Sequence, residues 1–383
     1  MKLFLQSIRI QNMPTIQTPL LVLFNVLILV FIFILMRQAI HYPYIVKATN
    51  RRLAIYLSLV FVLFSFWGMD WFHYQMAYSD LHSGNSGHME EAYVFIAQKL
   101  SFNYISFRFI IWGSALLLFL LTIKNISINK NIAMFLFGTI WIIWFSYARA
   151  SLSMILVYYG LSLIYKQSHR KLIYILLGFT LIILSAFFHK SALYAIAASF
   201  FVILANRLNY KLYILAIFAI LLFLRLYMSS FVNELLFIES SDDLFGMSIS
   251  SGQSYMSADT QTKGLGSIVQ IFLEVCPYYL LTWQCCKIYF KKAIPKIPND
   301  VNVFIKLLIF ITMSSSLFLF DFGVNTTVIY SRFMRFAAIP SVIVLAYLLE
   351  NKYYKKMTLI TLYTALLGTL YAVIYSLYNS LVR

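Results

Sequence analysis

Leu172-Ile173-Tyr174-Ile175-Leu176-Leu177-Gly178-Phe179-Thr180-Leu181-Ile182-Ile183-Leu184-Ser185-Ala186-Phe187-Phe188 carries no charge, and His189-Lys190-Ser191 follows it directly before apolar residues resume at Ala192. A bilayer core about 30 Å thick takes about 20 residues of helix, so this stretch predicts a membrane span. The polar break after it is too short for a solvated loop. Comparable apolar runs occupy 19–36, 53–69, 104–123, 132–147, 150–165, 191–205, 212–228, 267–286, 303–320, 333–349 and 358–378. The expected fold is therefore all-α, a polytopic transmembrane bundle of about 12 spans (10–12), forming one integral membrane domain over residues 1–383. Several runs are short enough to be re-entrant or interfacial instead. Residues 1–18, with Pro14, read as a tail or a short interfacial helix, and the first apolar run reads as a retained span because Arg37 follows it without a cleavage site.

Composition excludes the other classes. Hydrophobic residues make up 62% of the 383, charged residues 11%, and the mean hydropathy is +0.81. A soluble domain carries roughly 25% charged residues, and disorder requires low hydrophobicity. Three cysteines are too few for a disulfide scaffold. Continuous apolar runs are not the alternating strands of a membrane barrel.

The formal charge of +17 is a topology signal. Taking alternate loops from residue 37 onward, one side of the membrane collects nineteen of the 30 basic residues and only two acids, Asp300 and Glu350. By the positive-inside rule that side is cytoplasmic. Both termini and both long loops are then outward, and nucleic acid is excluded as a partner. The first long loop, 70–103, holds Asp70, Asp80, Glu90 and Glu91, and its later part places Tyr93, Phe95, Ile96 and Leu100 roughly on one face of an interfacial helix. The second, 229–266, is acidic, with Glu234, Glu239, Asp242, Asp243 and Asp259.

A second set of charges runs against this pattern, because outward basic residues at span ends are disfavoured and ionisable groups at membrane depth are costly. Arg149 sits in a tight turn, His189 and Lys190 in another, and Arg332 and Arg335 are spaced by three, on one helical face. Asp70 follows the second span directly. Arg108 and Arg225, near span ends, read as side chains that snorkel to headgroups. Tyrosines and tryptophans read first as interfacial belt residues. Several guanidiniums at one membrane level suit a polyanionic ligand, since arginine binds phosphate bidentately, and in an outer leaflet that points to a phosphorylated lipid head. Walker, dinucleotide, zinc-hydrolase and Gly-x-Ser-x-Gly motifs are absent from the sequence. Cys276, Cys285 and Cys286 have no histidine at ligand spacing, so neither a metal nor a cofactor is expected.

At these residues the chain resembles the EpsG family of bacterial polysaccharide-biosynthesis membrane proteins, related to the Wzy-type O-antigen and capsule polymerases. Three pieces carry the resemblance: Gly68-Met69-Asp70-Trp71-Phe72-His73-Tyr74 followed by Glu90-Glu91-Ala92-Tyr93; Arg149-Ala150-Ser151 and, about forty residues on, Phe188-His189-Lys190-Ser191-Ala192; and Tyr330-Ser331-Arg332-Phe333. Trp71 and Ala150 depart from the family's usual tyrosine and glutamine. The resemblance implies a glycosyltransferase in the bacterial inner membrane, joining undecaprenyl-diphosphate-linked repeat units at the outer leaflet into O-antigen, capsule or exopolysaccharide. It implies His189 as the base, with Asp70 as rival base or orienting partner, and Arg149, Arg332, Arg335 and Lys190 on the diphosphate. Tyr74, Glu91 and Tyr330 would meet glycan. The expected partners are the lipid-linked units, membrane lipids, a chain-length regulator and a flippase. A flippase or exporter of lipid-linked sugar, an O-antigen ligase and a structural scaffold subunit are the alternative readings.

Overall fold

The computed structural model describes residue 30 and residues 78–83, 90–138, 148–166, 172–189, 192–237, 265–290, 297–320, 333–353 and 355–382. The expected spans at 19–36 and 53–69 lie outside the described residues, apart from Val30, which is helical. Among the described residues every regular element is a helix. In chain order they are α1 (Glu91–Phe95), a π-helical turn (Ile96–Leu100), α2 (Tyr104–Asn125), α3 (Lys130–Leu136), α4 (Ala148–Ile164), α5 (Leu172–Leu184) and α6 (Ala192–Leu204). There follow α7 (Tyr210–Phe237), α8 (Leu265–Phe290), α9 (Asn299–Phe320), α10 (Ala338–Glu350) and α11 (Lys355–Val382).

These boundaries track the apolar runs closely. At 22 residues, α2 spans about 33 Å at 1.5 Å per residue, and among the described residues it is the helix long and apolar enough to cross a bilayer by itself. Shorter apolar helices cover Ala150–Ile164, Leu172–Phe187, Ala192–Arg207 and Tyr210–Phe223. The acidic stretch read as a loop from 229 begins as helix, since α7 continues to Phe237; residues 238–264 lie outside the described residues.

The packing is organised around α10, whose residues from Ala338 to Leu349 are all buried, together with α9 and α4. The peripheral helices are apolar on both faces. In α7, Tyr213, Ile217 and Leu221 point inward at a spacing of four, while Leu212, Leu215, Phe218, Leu222 and Leu226 are exposed. In α5, Ile173, Leu176 and Ile183 are exposed, and Gly178 and Ile182 are buried. A helix that is apolar all round while half of it is uncovered requires an apolar solvent.

Small residues let these helices approach. A Cβ built on Gly160 of α4 would lie 2.5 Å from the carbonyl oxygen of Gly178 in α5, and one on Gly178 would lie 2.6 Å from that of Gly160. The two backbones touch, and neither position has room for a methyl group. In α6 the buried stripe is Ala192, Ala195, Ala198 and Ser199, which brings it against α9.

Polar groups close the helix ends. Asp300 Oδ2 accepts the Ser127 amide at 2.6 Å and Glu350 Oε2 accepts the Asn129 amide at 2.8 Å, so both acids of the basic face hold the turn between α2 and α3. Lys306 of α9 is buried and its Nζ donates to the carbonyls of Ala205, Asn206 and Leu208 at 3.1, 2.7 and 3.1 Å, at the end of α6. The rings of Tyr210 and Tyr213 flank the same ammonium at 5.4 and 5.1 Å. Lys124, Lys130, Arg207, Lys211, Lys352, Lys355 and Lys356 are exposed around these turns, so these described members of the basic set counted onto one side of the membrane gather at one end of the bundle. That end is opposite the start of α2.

Gly160→Ala and Gly178→Ala should each force α4 and α5 apart and destabilise the fold by about 1–3 kcal/mol; thermal unfolding in detergent measures this, and an unchanged midpoint would show that the helices do not touch there. Lys306→Met should cost about 2 kcal/mol in the same assay, because it strips a shared donor from buried carbonyls.

Candidate functional site

At the far end of the bundle, α5 tightens into a 3-10 turn, Ser185–Phe187. Ser185 Oγ donates to the Ile182 carbonyl at 2.6 Å, and the Ser185 carbonyl accepts the amides of Phe188 at 3.1 Å and His189 at 3.3 Å. The His189 carbonyl in turn accepts the Ala192 amide at 2.9 Å and opens α6. His189 is therefore bound through its main chain to the helices on both sides.

Its imidazole meets a carboxylate from a distant part of the chain. Glu90 is the N-cap of α1: its backbone is extended and its carbonyl accepts the Tyr93 amide at 2.9 Å. Its side chain makes no capping bond. Instead Glu90 Oε1 lies 3.0 Å from His189 Nδ1, with the Glu90 side chain 5% exposed and the imidazole 25%. The neighbouring Glu91 is exposed on the outer side of α1.

Aromatic rings hold this pair in place. Tyr93, buried on α1, meets Phe188 edge-on at 5.9 Å and Phe107 of α2 at 6.3 Å, and Phe107 meets Tyr78 at 5.3 Å. The two pieces of the first long loop are joined by hydrogen bonds: Tyr78 Oη with Ser101 Oγ at 3.1 Å, Gln98 Nε2 to the Leu81 carbonyl at 3.1 Å, and His82 Nδ1 to the Ala97 carbonyl at 3.2 Å. A capping box between Asn103 and Ser106 then starts α2. The described parts of the loop are thus a folded block over the start of α2. One detail differs from the expected amphipathic helix: Tyr93 and Ile96 are buried, while Phe95, Leu100 and Phe102 are exposed, the last at 94%. The π turn at Ile96–Leu100 breaks the 3.6-residue period, so the apolar residues divide between two faces.

Arg108 departs from the expectation that it snorkels. It is 1% exposed, donates from Nη1 to Tyr104 Oη at 3.2 Å, and lies 5.9 Å from the ring centroids of both Tyr104 and Trp112. Positions one turn before and one turn after it supply rings on the same helix face, and the guanidinium is held between them.

The helix register places the other candidates. Arg149 precedes Gly160 by eleven residues and His189 follows Gly178 by eleven, so the antiparallel α4–α5 crossing sets both about 16 Å from the contact, at one level. Asn125 Nδ2 donates to Ser162 Oγ at 3.1 Å at the opposite end, which brings Trp112 of the parallel α2 to that level too. Arg335 opens a 3-10 turn before α10. Its neighbours Phe333 and Phe336 meet Tyr194 at 4.3 Å, tilted, and 6.1 Å, edge-on, and the Tyr158 hydroxyl donates to the Phe336 carbonyl. Tyr194 lies on α6, five residues along from His189. Asp70, Tyr74, Lys190, Tyr330 and Arg332 lie outside the described residues.

The structure therefore brings His189 together with Glu90, a residue not proposed for it from the sequence; Asp70, expected as rival base or orienting partner, lies outside the described residues. Two adjacent glutamates give no local sign of which one turns inward. The cue available in the sequence was the position of Glu90 before an apolar helix without a serine, threonine, aspartate or asparagine cap. Among the described residues no three His, Cys, Asp or Glu side chains gather as metal ligands.

No match is found among curated proteins or among solved structures. A model of the EpsG family matches residues 49–382, a span that includes all of α1 to α11. The chain belongs to the EpsG family, and it is a helical membrane protein.

Proposed function

We propose that this protein is a polysaccharide polymerase of the bacterial inner membrane, a glycosyltransferase that joins undecaprenyl-diphosphate-linked oligosaccharide units into O-antigen, capsule or exopolysaccharide. The observation that carries this reading is the His189–Glu90 pair, set at the level where α4 begins with Arg149. Family membership supports a role in polysaccharide synthesis, and the basic opposite end supports placing the His189 end outward by the positive-inside rule. Both termini are then outward as well.

The chemistry needs a base and an anion clamp. The acceptor sugar hydroxyl loses its proton to His189, its oxygen bonds to the anomeric carbon of the donor glycan, and the bond from that carbon to the diphosphate oxygen breaks. The electron pair leaves with the undecaprenyl diphosphate. Arg149, Arg332 and Arg335, with Lys190, stabilise the charge that develops there, as preorganised cations do at a leaving phosphate. Tyr74, Glu91 and Tyr330 are proposed to meet the glycan. A chain-length regulator and a flippase are the proposed protein partners.

The test is reconstitution of the purified protein in liposomes with a lipid-linked repeat unit. A ladder of polymer is expected. Translocation of the unit without a ladder would instead make the protein a flippase, and transfer of single glycans to a different acceptor lipid would make it a ligase. In the same assay His189→Ala should abolish the ladder while the protein still accumulates; normal chain lengths would remove His189 from the mechanism. Arg332→Lys should lower the rate on the order of 10-fold or more, because lysine lacks the bidentate fork, and full activity there would reduce Arg332 to an interface anchor.

A further inference from the structure

We infer that Glu90 is a positioning residue that holds His189 in the tautomer with its proton on Nδ1, leaving Nε2 as the acceptor of the sugar hydroxyl proton; this rests on the preceding reading of His189 as the base. The geometry gives the assignment. An ionised carboxylate only accepts hydrogen bonds, so the 3.0 Å contact between Glu90 Oε1 and His189 Nδ1 needs a proton on Nδ1. A neutral imidazole protonated there has its lone pair on Nε2, on the opposite edge of the ring.

Three further observations favour orientation over a plain structural tie. The carboxylate is buried, with 5% of its side chain exposed, and burying a charge is costly unless a partner uses it. Glu90 heads a helix yet gives its side chain to the imidazole 99 residues away rather than to the amides of α1. The main chain of His189 is already held at Ser185 and Ala192, so the ring rotation is what remains for a side-chain partner to settle. Tyr93, three residues after Glu90, closes the arrangement by packing edge-on against Phe188 at an interplanar angle of 87°.

When His189 takes the hydroxyl proton on Nε2, the ring becomes an imidazolium with its Nδ1 proton still directed at Glu90. The carboxylate then faces a full positive charge. The proton stays on the imidazole, and Glu90 neither bonds to substrate nor takes a proton.

Glu90→Gln keeps the shape and the capping position but can present its amide group to a bare Nδ1, which favours the other tautomer. In the reconstituted polymerase it should lower kcat on the order of 100-fold, with KM for the lipid-linked unit and the thermal midpoint unchanged, the pattern of a contact that matters in the transition state alone. Glu90→Asp should restore part of the rate. In 15N-histidine spectra of the intact protein in nanodiscs, His189 should be the Nδ1–H tautomer, and Glu90→Gln should shift it toward Nε2–H. Wild-type kcat in Glu90→Gln while His189→Ala is inactive would overturn the role of Glu90 and leave the polymerase reading standing. An Nε2–H tautomer in the unaltered protein would overturn it even if the variants fail to fold. Normal polymer from His189→Ala would instead sink the reading of His189 on which this inference depends.

Discussion

The backbone contact between Gly160 and Gly178 is the constraint from which the rest of the candidate site follows. With 2.5–2.6 Å between each carbonyl oxygen and the space a Cβ would fill, α4 and α5 have a single register in which they can touch. That register converts sequence distance into height. Residues equally far from the two glycines come level, and Arg149 and His189 are such a pair. Any slip by one turn, about 5.4 Å along the axis, would take them off that common level. In an apolar solvent, where apolar side chains gain little by leaving lipid for protein, close approach of small residues is the main means of setting such a register.

The two ends of the bundle use charge differently. At the basic end the charged groups serve the main chain: buried Asp300 and exposed Glu350 receive amides from the turn after α2, and buried Lys306 gives its protons to carbonyls at the end of α6. These groups offset the cost of unpaired peptide groups where helices stop. At the other end the side chains of Glu90 and His189 bond to each other. Such a pair contributes little to stability over a well-packed apolar substitute. Its chemistry is the better reason for it.

Much of this was legible in the sequence, and the limits of that reading are physical. The helices of the described residues fall where the apolar runs fall because a lipid-facing helix must be apolar along its length, and that pattern is local. The clustering of basic residues at one end was legible for the same reason, since short loops alternate sides. Arg108 was misread because distance from a span end does not say whether aromatic neighbours at four-residue spacing face the guanidinium or the lipid. The face of α1 was misread because a π turn shifts the helical phase without a signature in residue type. Glu90 was not paired with His189 because the pairing spans 99 residues and depends on how the first loop folds back over α2.

The position of the site relative to the apolar faces is consistent with a substrate that is partly lipid. Leu184 at the end of α5 and Phe187 just before His189 are exposed, as are Ile173, Leu176 and Ile183 along that helix. A polyprenyl chain lying against such a face would bring its diphosphate to the level where the helix stops. The sugar attached to that diphosphate would then stand beyond the apolar zone, beside the folded block of the first loop. On the proposed reading the apolar tail would lie against the exposed leucines and phenylalanines, and the diphosphate and its sugar would meet Arg149 and the Glu90–His189 pair at their common level. On that reading the donor's lipid chain would take the place of bilayer lipid along α5.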